Sequence, residues 1–363
     1  MTDEYLKVGE RCAYELGNRG PIEFDAKGIL HEDITEAYWR TGFYVFEGVV
    51  QGEEMDELIA ELESVLALAP SSSNVSTDAT GRAAIGTEFE KPSFNFAKPL
   101  SDPYGGTWRY GGKMTELEAP VKAPEEIVLQ IMGVLQLMDS CLWLYGHPQL
   151  LAVVEQINGP DFVPFTETIW VKHPGLGASV AWHQDGTTHW DNPELDWGTH
   201  GFNYMAQLYA TNPTNALWVV PGTHQQGKLD IVALMQANRD SDRLPNVVPM
   251  LCQPGDVVIM NRQVLHGSFP NTSPVMRATY QFGFHRRASL LGVKGWDARP
   301  YDEARIHERS RIIGLAIDAR HQRFPDEQRY QYKPLSDEID TLRWNNNSRK
   351  NLLKNYNLKD LSI

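Results

Sequence analysis

The sequence predicts a mostly β core, a jelly roll of two antiparallel sheets, wrapped by helices at its N- and C-terminal ends. Two observations carry this. From residue 162 to about 288, strand-length runs rich in β-branched and aromatic residues alternate with Gly, Pro and Asn turns. On either side of that stretch, apolar residues recur with helical spacing instead. The 363 residues are expected to form a single domain. It has a helical N-terminal part over about 1–160, a jelly-roll core over about 161–288 and a helical extension over about 289–363.

Taken in order, residues 33–40 read as a short helix and 42–50 as a strand. Residues 52–68 then place Met55, Leu58, Ile59, Leu62, Val65 and Leu66 on one helical stripe. Pro70 and the run Ser71-Ser72-Ser73-Asn74 end that helix and open a Ser/Thr/Gly-rich stretch, 71–115. Phe94, Phe96, Tyr104, Trp108 and Tyr110 give it an aromatic middle. A segment of this length is either a lid over a substrate or an ordered loop whose aromatics pack permanently. Helices are expected again over 124–144 and 148–158. The apolar stretch 127–146 is interrupted by Gln130, Gln136 and Asp139, so it reads as a buried helix and not a membrane span. Strands are expected at 165–172, 203–210, 216–220, 256–260 and 277–284, and a final helix at 306–320.

Composition narrows the function. Apolar residues make up 42% of the chain, enough for a large core, and the net charge of −14 argues against a nucleic-acid partner. Residues 286–363 carry 16 Lys/Arg against 11 Asp/Glu, leaving an acidic body with a mildly basic tail. Such a tail reads as solvated helix faces, with docking on the body or on a sister subunit, as a homo-oligomer, as the alternatives. Cys12, Cys141 and Cys252 form no paired motif, which fits a reducing cytoplasm. The acidic start Met1-Thr2-Asp3-Glu4 has no apolar core of a signal peptide. A cytoplasmic protein with no membrane partner is therefore expected.

The chemistry centres on Trp182-His183-Gln184-Asp185. Strand residues two apart face the same side, so His183 and Asp185 can reach one metal. One imidazole and one carboxylate need a third ligand to complete the facial triad of a non-haem Fe(II) oxygenase. Downstream, the Pro254-Gly255-Asp256 turn, an apolar strand and His266-Gly267-Ser268 bring a second histidine to the barrel mouth. Arg277 lies eleven residues beyond it, where a planar guanidinium can pair with a carboxylate in a bidentate way, with Ser268 adding a hydroxyl.

This layout resembles the phytanoyl-CoA dioxygenase family of Fe(II)/2-oxoglutarate oxygenases over roughly residues 33–285. The resemblance runs through Tyr38-Trp39-Arg40-Thr41-Gly42-Phe43, His147-Pro148, Gly159-Pro160, Val171-Lys172-His173-Pro174 and the His183-Gln184-Asp185 turn. It continues in Pro221-Gly222-Thr223-His224 and closes on His266-Gly267-Ser268 and Arg277. It implies a cupin-like double-stranded β-helix with His183, Asp185 and His266 as catalytic iron ligands. Arg277 and Ser268 would clamp the distal carboxylate of 2-oxoglutarate, and Thr168 would line that co-substrate.

The implied reaction consumes O₂ and hydroxylates an unactivated C–H bond of a small or medium organic molecule, releasing succinate and CO₂. An aspartate at position 185 favours this over halogenation, where a small residue stands in related enzymes. The same centre could serve desaturation, epimerisation or ring formation, and a non-catalytic jelly-roll binding protein is the alternative of a different class. Trp170 shares a strand face with Thr166 and Thr168, while His189 and Trp190 follow Asp185 closely; these three are the candidate substrate contacts. His224, after a tight turn, reads as structural. Trp182 reads as core, and His285 as a solvent-facing strand exit or a tail contact.

Overall fold

The structure, a computed structural model, describes residues 3–89, 91–107, 109–185, 201–294 and 300–352. It opens with α1 (Asp3–Glu15), for which the sequence reading has no counterpart, followed by the short β1 (Arg19–Gly20). Tyr5 of α1 stacks on Trp218 at 5.2 Å and so ties the N-terminal end to the barrel. Next come α2 (Glu32–Thr41), β2 (Phe43–Phe46) and α3 (Gly52–Ala67), close to the expected bounds. Gly42, between α2 and β2, is required twice over. Its φ of 87° is left-handed, and a Cβ there would lie 2.3 Å from Val264 Cγ2 and 2.6 Å from the His224 ring.

Residues 71–132 differ from expectation. The loop contributes an edge strand, β3 (Phe94–Ala97), and the expected helix over 124–144 is instead β4 (Ile127–Met132), a 3₁₀ turn and the short helix α4 (Asp139–Tyr145). Every residue of β4 is buried, so the apolar run carried no period to separate strand from helix. Gly133, at φ 65°, then breaks the chain. The expected helical part, 1–160, therefore supplies four strands. After α5 (Pro148–Asn158), the core strands are β5 (Val163–Lys172), β6 (Val180–His183), β7 (Gly201–Gln207) and β8 (Trp218–Val220). Past α6 (Ile231–Ala237) they continue with β9 (Val248–Pro249), β10 (Val257–Asn261), β11 (Leu265–Ser268) and β12 (Arg277–His285).

Among the described residues these make two sheets, ordered β1-β2-β10-β7-β12-β5-β4-β3 and β6-β11-β8-β9. All pairings are antiparallel except β1 with β2. This is the jelly-roll double-stranded β-helix. Alternation divides the central strands cleanly. Phe202, Tyr204, Tyr280, Phe282 and Phe284 pack outward under the helices, and their neighbours face between the sheets.

The described residues end with α7 (Arg287–Leu290), α8 (Glu303–Arg323) and α9 (Asn346–Leu352). The described part of the basic extension docks on the acidic body of its own chain rather than lying as a solvated face. Arg320 pairs with Glu54 at 2.5 Å, Arg323 with Glu57 at 3.0 Å and Arg349 with Asp139 at 2.5 Å, while Arg320 also pairs with Glu327 within the extension at 2.6 Å. Apolar burial of Ile313, Leu315 and Ile317 beneath α8 supplies the non-directional part of the contact. No helix among the described residues is long and apolar enough to cross a membrane.

Candidate active site

His183 closes β6 and lies directly opposite His266 on β11, with ring centroids 4.1 Å apart. Asp185 follows two residues later, where its backbone N–H donates to Arg262 O at 2.8 Å and turns the chain back toward the two histidines. Ligand-capable atoms of the three residues all lie within 4.8 Å of one another, and His183 Nε2 is 3.6 Å from Asp185 Oδ1. Each histidine has Nδ1 2.8 Å from the carbonyl two residues earlier, Ala181 for His183 and Val264 for His266. A carbonyl only accepts, so Nδ1 carries the proton and Nε2 keeps its lone pair for the site.

The electrostatics suit a cation. Burial, reinforced by His266, pushes His183 down to about 3, and burial likewise lowers His266, so both rings are neutral at ordinary pH. Burial alone would raise the Asp185 carboxyl. The cationic forms of His266 and His183 and the Arg109 guanidinium outweigh it and hold Asp185 well below the usual carboxylate range. Arg109 Nη2 donates to Asp185 Oδ1 at 2.9 Å and Asn203 Nδ2 to Oδ2 at 3.1 Å, so both oxygens are oriented.

The three residues open on a cavity of about 680 Å³ between the sheets. Arg277 lines it, almost fully buried, and burial lowers its pKa to about 10. Among the described residues it makes one hydrogen bond, from Nη1 to Asn215 O at 3.2 Å, Nε has no acceptor, and no carboxylate faces it. The buried Ser268 hydroxyl is likewise without a partner among the described residues. A buried cation and a buried hydroxyl left unsatisfied cost several kcal/mol unless a ligand completes them, on the order of 1–3 kcal/mol for each missing partner. An anionic carboxylate fits both. Lys172, the register partner of Arg277 on β5, is not a second clamp, because its Nζ is committed to Ala178 O at 2.6 Å and Phe269 O at 2.5 Å.

The major sheet forms the opposite wall. Its register places Gln207, Thr279, Trp170 and Gln130 in one row and Met205, Gln281, Thr168 and Met132 in the next. Thr168 lines the cavity as expected, but its hydroxyl donates to Ile131 O at 2.8 Å and so presents only lone pairs. Trp170 is a cavity wall whose Nε1 donates to Gln281 Oε1 at 3.0 Å. Tyr104 and Tyr110 continue that wall, stacked at 5.1 Å, with Tyr104 edge-on to Trp170.

Other candidates fall as follows. Trp182 is core, its Nε1 donating to Asp242 O at 2.6 Å, and His224 is structural, with Nε2 3.0 Å from Trp39 O. His285 is corrected. It is fully buried, not solvent-facing, with Nε2 3.1 Å from Arg262 Nη1, because the β12 ladder continues through it to Val163. His189, Trp190 and Trp108 lie outside the described residues. The sequence reading missed Arg109, Asn203, Arg262 and Gln281. Asn203 and Gln281 were legible in principle as polar positions alternating with aromatics on strands, whereas Arg109 sits in an aperiodic loop with no local signal.

The jelly roll, with a buried His-x-Asp pair, a distal His and a buried Arg that faces no carboxylate among the described residues, defines a cupin-like protein whose site could hold a metal ion beside an anionic ligand. The chain belongs to the phytanoyl-CoA dioxygenase (PhyH) family, whose model matches residues 38–279. It is 31% identical over 112 residues to phytanoyl-CoA dioxygenase 1 of Oryza sativa subsp. japonica, covering 29% of this chain and 38% of that protein. It is 28% identical over 123 residues to phytanoyl-CoA dioxygenase domain-containing protein 1 of Danio rerio, covering 31% of this chain and 40% of that one. The matches thus span about two fifths of these relatives' lengths. Among solved structures, EctD from S. alaskensis with 2-oxoglutarate and 5-hydroxyectoine aligns with a TM-score of 0.52 at 17% identity. That alignment covers 74% of this chain and 81% of EctD and shows a shared fold.

Proposed function

We propose that this protein is an Fe(II)- and 2-oxoglutarate-dependent dioxygenase that hydroxylates an unactivated C–H bond of a small or medium organic molecule, releasing succinate and CO₂. The observation that carries the reading is one cavity holding both the His183–Asp185–His266 group and the buried Arg277, which faces no carboxylate among the described residues. In this reading the triad holds Fe(II), and Arg277 with Ser268 clamps the distal carboxylate of 2-oxoglutarate beside Thr168. Iron and 2-oxoglutarate, when bound, supply O₂ activation and oxidation of a nearby C–H bond.

The rest falls to the chain. His183 and His266, each fixed by a carbonyl behind it, keep Nε2 on the metal side. Asp185 stays ionised between Arg109 and Asn203. Arg277 fixes the direction of the co-substrate, and Phe165, Tyr104, Tyr110 and Trp170 exclude water and give the substrate a largely aromatic wall. The test loads the protein with Fe(II) anaerobically, admits O₂ and 2-oxoglutarate, and screens small organic substrates for succinate. A product one oxygen heavier, formed with equimolar succinate, is expected. A product lacking two hydrogens, or an epimer, would reassign the outcome. Succinate that never rises with any substrate would leave a binding protein.

A further inference from the structure

We propose that Arg109 is a positioning residue for the Asp185 carboxylate, carried on a loop whose described residues are 102–107 and 109–115, so that closing the cavity and completing the metal site are one event. The inference rests on reading His183, Asp185 and His266 as the iron site, and it assigns a task to a segment outside the strands that build that site.

The loop is closed by one buried carboxylate. Asp102 Oδ1 accepts from Gly105 N at 3.0 Å and Oδ2 from Met114 N at 2.7 Å, drawing together residues nine apart in the chain. Gly106 N donates within the loop to Tyr110 O at 2.9 Å and Gly112 O at 3.1 Å, and Thr115 N is anchored on Asp242 Oδ2 at 2.7 Å. The closure is tight at two glycines. A Cβ on Gly105 would lie 1.8 Å from Asp102 Oδ2, and one on Gly112 would lie 2.1 Å from Met235 Sδ.

The tip meets the site at two points. Arg109 Nη2 is 2.9 Å from Asp185 Oδ1, the oxygen nearer His183 Nε2, and the Tyr110 ring is centred 4.6 Å from the His183 ring. The Arg109 guanidinium also lies 5.5 Å from the Tyr110 ring centroid, so the two contacts reinforce each other. A carboxylate oxygen has two lone pairs, so Oδ1 can accept from Arg109 and still face a cation. Asn203 orients Oδ2 from the central strand β7, whereas Oδ1 depends on a loop. Tyr104 and Tyr110 of the same loop form the cavity wall beside Trp170. What fills the cavity and what orients the metal ligand therefore share one mechanical element.

Outer partners of ligating carboxylates typically change metal affinity by about 10–100-fold. Coupling is reciprocal: if loop closure strengthens metal binding, metal binding must close the loop by the same factor. The experiment titrates Fe(II) anaerobically by calorimetry into wild type, Arg109→Ala, Arg109→Lys, Asp102→Ala and the double variant, with neither co-substrate nor substrate present. Arg109→Ala should weaken Fe(II) binding by about 10–100-fold, and Arg109→Lys should restore part of it. Asp102→Ala, which does not touch the triad, should weaken it as well, and the double variant should be no worse than Arg109→Ala.

Hydrogen exchange at Gly105, Gly106 and Met114 should slow on Fe(II) binding in wild type and not in Arg109→Ala. That readout decides the matter even if Asp102→Ala fails to fold. Unchanged Fe(II) affinity in Arg109→Ala overturns the proposal. So does tighter binding, the result if the guanidinium mainly repels the cation, and so do additive losses in the double variant. A wild type that binds no Fe(II) would instead refute the metal-site reading itself.

Discussion

At the scale of single residues, the site is built from groups whose second atom is already committed. His183 and His266 spend Nδ1 on backbone carbonyls and keep Nε2, and Arg277 spends one nitrogen on Asn215 and keeps the rest. His266→Ala should abolish tight Fe(II) binding while leaving the apoprotein's melting close to wild type, as anaerobic calorimetry and thermal denaturation would show. Wild-type affinity in that variant would remove His266 from the ligand set. Arg277→Ala should weaken 2-oxoglutarate binding to the iron-loaded protein by two orders of magnitude or more. Leaving one partner of a buried charge pair alone costs about 3–5 kcal/mol. Arg277→Lys should recover little, since a point charge cannot replace the planar fork. A titration with unaltered affinity would place the clamp elsewhere.

At the scale of elements, two contacts of the helical layer can be tested. Gly146, at the end of α4, lies against α8, where a Cβ would come 2.2 Å from the Ala316 carbonyl oxygen and 2.5 Å from its carbon. Backbone cannot give way as a side chain can, so Gly146→Ala should destabilise by about 1–3 kcal/mol in denaturant unfolding. Substitution without loss would mean that α8 is free to shift. Glu167 of β5 points away from the cavity and is fully buried, and burial pushes its pKa up to about 8 despite the Arg309 charge and the backbone N–H groups of Glu167 and Leu135. The folded state therefore prefers the protonated acid. The stability this contributes is present at low pH and lost as pH rises through about 8. Glu167→Gln should accordingly gain in melting temperature relative to wild type between about pH 6 and about pH 9. A constant difference across that range would contradict a raised pKa.

For the whole molecule, the C-terminal extension is part of the body and not an appendage. Arg320 of α8 is buried between Glu54 of α3 and Glu327, joining segments more than 260 residues apart in the chain. Arg320→Ala would strand Glu54, whose carboxyl burial already tends to protonate. A loss of about 3–5 kcal/mol in global stability is expected, with Fe(II) affinity unchanged because the contact is remote from the triad. Loss of Fe(II) affinity in a folded variant would mean that the helical layer and the metal site are coupled. The tail's charge was visible in the sequence, but its destination was not. Charge complementarity between a basic tail and an acidic body does not say which carboxylates are met.

The sequence by itself determined whatever depends on neighbours along the chain. The spacing of His183 and Asp185 marked them as a pair, although the structure ends β6 at His183 and brings Asp185 in by a turn, and His266, Ser268 and Arg277 follow from a strand, its end and the return strand. The core strands were legible because their apolar and polar positions separate two faces. β4 was not legible, since a strand buried on both faces has no alternation to distinguish it from a buried helix. Arg109 beside Asp185, Asn203 on its other oxygen and His285 under Arg262 were decided only by the tertiary structure. Each of these contacts joins segments 18 to 76 residues apart. Such pairs form when sheets and loops pack, and packing follows the burial of whole faces, which leaves no mark on the residues next door.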